Sequence, residues 1–174
     1  MSAKPPVVRG DLEERLQFEE LLADLSSKFV NLLPAEVDPL IEHALRRVCE
    51  SIGIDLAVLW QWSSDDPGVI RPTHFFPSEE GLQLSEPLDQ SQYPWVVQQM
   101  VNGSVIALSS LEELPAAAAV DRQSALLSGI KSTLCLPLTV GGGPPIGALA
   151  FNTLRAEHDW PRVLAGRDPQ HGAI

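Results

Sequence analysis

The feature that most constrains this chain is a pair of strand patterns late in the sequence, joined by a glycine turn. Over Ser132–Val140, the residues Leu134, Leu136, Leu138 and Val140 alternate with Thr133, Cys135, Pro137 and Thr139. That period of two gives one apolar face to set against a core. The run GGGP follows, and PIGALAFNT (Pro145–Thr153) returns as a second strand. Two strands so closely linked form a hairpin, so the chain must build a sheet.

The patterns upstream supply the helices that cover such a sheet. Residues 1–10 contain Pro5 and Pro6 and show no periodicity, so they read as a disordered lead. From Asp11, an N-cap residue, residues 11–33 turn helical, with Glu13 and Glu14 placed to favour the helix dipole. Phe18, Leu22, Leu25, Phe29 and Leu32 recur there at alternating spacings of four and three. Such a seam serves either a dimeric coiled coil or packing on the chain's own domain, and two heptads leave both readings open.

Pro34 ends that helix and a second begins at Ala35. Its stripe is Val37, Leu40, Ile41, Ala44, Leu45, Val48 and Ile52, with Gly53 at the C-cap position. DLAVLWQW (Asp55–Trp62) reads as a central strand and VIRPTHFF (Val69–Phe76) as its hairpin partner. Pro72 cannot donate to a ladder, so the second strand is expected at an edge or bulged. After a turn-rich acidic stretch over residues 77–90 come a short helix (Tyr93–Val101), a brief strand (Ser104–Leu108) and a helix around Val120–Leu127. This order predicts an α+β fold, with an antiparallel sheet and helices against its faces.

Composition narrows the function. A chain of 174 residues forms one domain of ordinary size. The formal net charge of −11 and the lack of any Lys/Arg cluster argue against nucleic acid as a partner. Apolar runs of a few residues are too short for a membrane span, and the N-terminus lacks the core of a signal peptide. Two cysteines, Cys49 and Cys135, make no disulfide framework, which fits a cytoplasmic setting.

The segment STLCLPLTVGGGPPIGALAFNT resembles the late hairpin of GAF domains, in which an S-x-L-x-x-P-L strand crosses a glycine turn into I-G-x-L-x-F. The preceding helix and DLAVLW resemble the opening helix and first central strand of that family, and EHDWP (Glu157–Pro161) is similar to the lead into its last helix. The resemblance runs from about Leu16 to Pro161. It implies a GAF-like domain over residues 34–160, with a six-stranded antiparallel sheet, helices on both faces and a small-molecule pocket. It also implies a homodimer through terminal helices, with Phe18, Leu22, Leu25 and Phe29 at the interface. The partners would be the signalling domains of a parent sensor histidine kinase or regulator. One departure stands out: residues 161–174 (PRVLAGRDPQHGAI) read as an irregular tail where the family continues as a long output helix.

Candidate chemistry is sparse. No GxSxG, Walker-type loop, HExxH or CxxC is present, and the four histidines have no metal-ligand spacing. The module is therefore read as non-catalytic, without a tightly bound cofactor or metal. FNTLRAEHD (Phe151–Asp159) does not match the N-K-x-x-F-x-x-x-D-E run of cyclic-nucleotide-binding relatives. The family's bilin attachment would need an exposed cysteine in the pocket loops. By the same resemblance His74 is a candidate haem ligand, against a hydrogen-bonded histidine near a strand end. Cys135 is a candidate redox thiol, against a small core residue.

The aromatic residues Trp60, Trp62, Tyr93 and Trp95 either line a pocket for a flat ligand or fill it with their own rings. Arg71, Gln99 and Asn152 are candidate polar contacts. The expected ligand-binding set is thus Trp60, Trp62, His74, Tyr93, Trp95 and Cys135. Three functions follow: a small-molecule sensor of a two-component protein, a ligand-free relay spacer, and a haem or thiol redox sensor.

Overall fold

A computed structural model describes Glu20 and residues 33–63, 69–76, 88–89 and 91–160. The seam residues Phe18, Leu22, Leu25 and Phe29, and the tail over residues 161–174, lie outside the described residues.

Helix α1 (Pro34–Ile52) starts where proline is tolerated best, at the first helical position, and Glu36 Oε2 accepts from the Leu33 amide at 3.1 Å. Gly53 ends it with φ of +68°, and the Ile54 amide closes onto the Cys49 carbonyl at 2.9 Å. Strand β1 (Leu56–Trp62) pairs with β2 (Val69–Phe76), which pairs with the two-residue β3 (Leu88–Asp89). Helix α2 (Pro94–Val101) leads to β4 (Ile106–Leu108), and two short 3₁₀ turns precede helix α3 (Ala119–Leu127). Strands β5 (Ser132–Thr139) and β6 (Pro145–Thr153) complete the sheet, whose order is β3-β2-β1-β6-β5-β4. All its pairings are antiparallel.

The late hairpin occupies the middle of this sheet, because β6 lies between β1 and β5. Gly141 and Gly142 carry φ of +59° and +73° in the turn, a conformation that residues with a Cβ resist. Gly147 is required for a different reason: a Cβ there would strike the Trp60 carbonyl oxygen on the neighbouring strand. The glycine of the I-G-x-L-x-F motif thus lets β6 lie close against β1.

Strand alternation sorts the side chains into two cores. Toward α1 point Ala57, Leu134, Leu136, Leu149 and Phe151, meeting Leu45 and Cys49 with Ile41, Val48 and Ile52 beside them. Toward α2 and α3 point Cys135, Ala148 and Ala150, meeting Met100, Ala118 and Ala125. The apolar face predicted for β5 is therefore the α1 face. It stops short of Val140, which lies past a register shift after Leu138 and is 68% exposed.

The predicted irregularity in β2 is present. Leu59 pairs with His74 but Trp60 pairs with Pro72, so Thr73 is an extra, bulged residue. The Thr73 hydroxyl donates to the Leu59 carbonyl at 3.2 Å.

Candidate functional site

The second core is hollow. Between the sheet and helices α2 and α3 lies a cavity of about 300 Å³, at the small end of ligand sites. Its floor comes chiefly from three strands, with Leu56, Val58, Trp60 and Trp62 from β1, Ala148, Ala150 and Asn152 from β6, and Thr133 and Cys135 from β5, while Ile70 of β2 and Leu108 of β4 add to it. Ladder registers set these side by side, with Val58 opposite Ala150 and Ala150 opposite Cys135. Trp60 lies opposite Ala148. The roof comes from Val96, Val97 and Met100 on α2 and from Asp121, Ser124, Ala125 and Leu127 on α3.

The roof is held by a residue that sequence reasoning missed. Helix α2 begins with Tyr93 as N-cap and Pro94 as first residue, so it lacks a local side-chain acceptor for its opening amides. Asp121, only 1% exposed, supplies it from α3: Oδ2 accepts from the Trp95 amide at 3.2 Å and Oδ1 from the Val96 amide at 2.9 Å. A buried carboxylate at a helix N-terminus is favoured by both the hydrogen bonds and the dipole. Its neighbour Arg122 donates through Nη2 to the carbonyls of Leu114 (2.9 Å) and Glu112 (3.3 Å), tying down the preceding turn. The sequence signal was the unsuitable cap itself, a helix opened by Tyr-Pro.

Four of the six expected ligand-binding residues meet at this cavity: Trp60, Trp62, Tyr93 and Cys135. The Tyr93 hydroxyl lies 3.2 Å from Ser128 Oγ. Burial pushes its pKa up, against the Ser128 bond, and the charges of Asp121 and Cys135 act in the same direction as burial. Burial likewise raises the Cys135 thiol, opposed by its contact with Thr133 Oγ1 at 3.5 Å. A raised thiol pKa means little thiolate at neutral pH and a poor nucleophile. Trp95 is half-buried and packs against this core without lining the cavity.

His74 is a correction. Strict alternation from Ile70, which lines the cavity, would put His74 on the same face. The bulge at Thr73 flips it to the α1 side instead. There its Nε2 lies 3.3 Å from Asp38 Oδ1 and its Nδ1 3.2 Å from Thr73 Oγ1, joining β2 to α1. Of the three candidate polar contacts, Asn152 lines the cavity and Arg71 and Gln99 do not. Among the described residues no Lys, Arg or His lines it, and no cluster of His, Cys, Asp and Glu could hold a metal ion.

A second, broader cleft of about 650 Å³ lies at the C-terminal end of α1, bordered by Cys49, Glu50, Asp55, Arg155 and His158. Its central carboxylate is already engaged. Asp55 Oδ2 accepts from the amides of Leu154 (2.7 Å) and Arg155 (3.2 Å), and Oδ1 from Arg155 Nε at 2.6 Å. Burial alone would raise the Asp55 pKa, but these bonds and the Arg155 charge outweigh it and hold it below the ordinary value. Burial, followed by the charges of Asp55 and Glu50, pushes the Cys49 thiol up to about 12.

No protein-family model and no curated protein matches the chain. Solved structures do match it. The phycoerythrobilin-bound GAF domain from a cyanobacterial phytochrome superposes with a TM-score of 0.68 at 14% identity, covering 86% of this chain and 88% of that one. A phycocyanobilin-bound GAF domain from a cyanobacterial phytochrome gives 0.66 at 12% identity, covering 84% of each chain. NreA of Staphylococcus aureus, mutated in its nitrate binding site, gives 0.56 at 16% identity, covering 74% of this chain and 94% of that one. The chain has a GAF-like fold. Among the described residues no helix is long and apolar enough to cross a membrane.

Proposed function

We propose that this chain is a sensory input module that binds a small, largely apolar molecule between the sheet and helices α2 and α3. The observation that carries this reading is the cavity itself. Trp60 and Trp62 lie along its wall, yet about 300 Å³ stays open where a ligand-free spacer would be packed solid. Two neighbours in fold carry bilins and a third has a nitrate binding site, which supports a ligand role for the corresponding space. The module is read as non-catalytic, and among the described lining residues none is a histidine that could activate Cys135 or the serines there. No observation favours haem ligation by His74, held on the other face by Asp38 and Thr73.

The finer context belongs to the same proposal. The module acts in the cytoplasm as a homodimer through Phe18, Leu22, Leu25 and Phe29, and passes its signal to the domains of a two-component kinase or regulator.

Native mass spectrometry of the purified protein, beside its denatured mass and visible spectrum, tests the reading. A bound non-covalent mass is the expected result. A metabolite supplied at a hundred times its dissociation constant stabilises the fold by about 2.7 kcal/mol, which a thermal-shift screen detects. A clean apo protein that no metabolite stabilises would leave the spacer reading in its place.

A further inference from the structure

Some polar groups around the cavity are engaged, and others, on Gln92, Ser124, Trp60 and Trp62, meet no partner among the described residues but belong to residues that are half-buried or exposed. Asp121 gives both oxygens to α2, Tyr93 pairs with Ser128, and Thr133 with Cys135. Asn152 is different. It is 6% exposed, stands in the cavity floor, and its side-chain amide meets no hydrogen-bond partner among the described residues. Among those residues, the only polar side-chain atom both sealed from open space and unpartnered is Nε1 of Trp160. The Asn152 amide therefore reaches open space, and the space it lines is the cavity. An amide that faces a mostly apolar cavity gains nothing from the protein around it, so nothing in the packing of β6 accounts for it. A hydrophobic residue would serve the floor better unless a ligand completes the amide's bonds.

An asparagine offers a carbonyl acceptor and an NH₂ donor side by side. Their complement is a molecule presenting an adjacent donor and acceptor on one edge, as a lactam or other cis-amide does. Across β6 from Asn152, Thr133 adds a hydroxyl on the same row of the floor, while Ala150, Ala148 and Trp60 continue it as a flat apolar surface. Among the described residues the cavity has no cationic side chain, and it contains the carboxylate of Asp121, so an anion would meet no compensating charge from them. We infer that the cavity takes a neutral, flat ring system whose cis-amide edge docks on Asn152. This rests on the cavity being a ligand site, as proposed above.

Three bicyclic probes separate the possibilities: 2-quinolinone, with a lactam edge; naphthalene, with no polar group; and 2-naphthoate, an anion. Titration by calorimetry into the full chain should rank 2-quinolinone tightest. Asn152→Leu should melt no lower than the wild type, because the amide holds no protein partner. The same variant should bind 2-quinolinone roughly tenfold more weakly and keep its affinity for naphthalene. Asn152→Ala, which adds no bulk, should show the same loss of preference.

Equal binding of 2-quinolinone and naphthalene, an unchanged preference in both variants, or tightest binding of 2-naphthoate would overturn the docking role of Asn152 while leaving the ligand site standing. Failure of all three probes to bind would overturn both. If both variants melt far below the wild type, Asn152 serves the fold and the inference falls.

Discussion

The two faces of the sheet share their strands but not their packing. On the α1 face β6 contributes Leu149 and Phe151, which pack in one layer with Leu45 and Cys49. On the other face the same strand contributes Ala148 and Ala150, and about 300 Å³ stays open beneath α2 and α3. One strand thus builds a filled core and an empty one by alternating large with small. The hollow follows from side-chain volume in the floor, beneath a roof whose two helices Asp121 ties together. Filled and hollow faces should therefore answer differently to substitution.

The largest difference is expected from Phe151→Ala. It removes a ring from the filled face and should cost about 3–5 kcal/mol in denaturant unfolding. A loss under about 1 kcal/mol would mean that the α1 face is as loosely packed as the other.

Next comes Asp121→Ala, which leaves two amides of α2 without their acceptor and should cost about 0.5–2 kcal/mol, the range for lost helix caps. Hydrogen exchange should quicken in α2 before α1. Uniform protection in both helices would show that the roof does not depend on this cap.

A smaller effect concerns acid. Asp55 has a folded pKa below its unfolded value, so its contribution is present above the unfolded pKa and lost as pH falls through the folded one. Melting temperature should fall between pH 5 and pH 2 in the wild type and fall less in Asp55→Asn. Parallel profiles would locate the acid sensitivity elsewhere.

The smallest effect on stability should come from Ala150→Leu, which places its added atoms in existing space. Melting should shift little in either direction, while any ligand binding is lost. Strong destabilisation would show the floor to be tight, against the hollow described here.

Much of the fold was legible in the chain because it depends on local pattern. The late hairpin, the central strand Leu56–Trp62, the strand Val69–Phe76 and the ends of α1 lie within a residue of where alternation, proline and glycine put them. Strand β3 was missed, since its two residues owe their state to pairing with Val69 and Ile70. Part of the site was legible too. Trp60 and Trp62 share a face by alternation alone, and Cys135 sits where its strand pattern sends it.

What the sequence determined by itself was therefore the elements and their order, because apolar periodicity and backbone chemistry act over a few residues. The tertiary structure decided which face would be hollow, since α1, α2 and α3 all present apolar residues and only the strand registers assign Ala148 and Ala150 to one of them. It also decided the fate of His74, which a single bulged residue turned away from the cavity, and the role of Asp121, whose partners lie 25 and 26 residues away in the chain. Both outcomes are set by where segments distant in sequence come to rest against one another, and no local pattern encodes that.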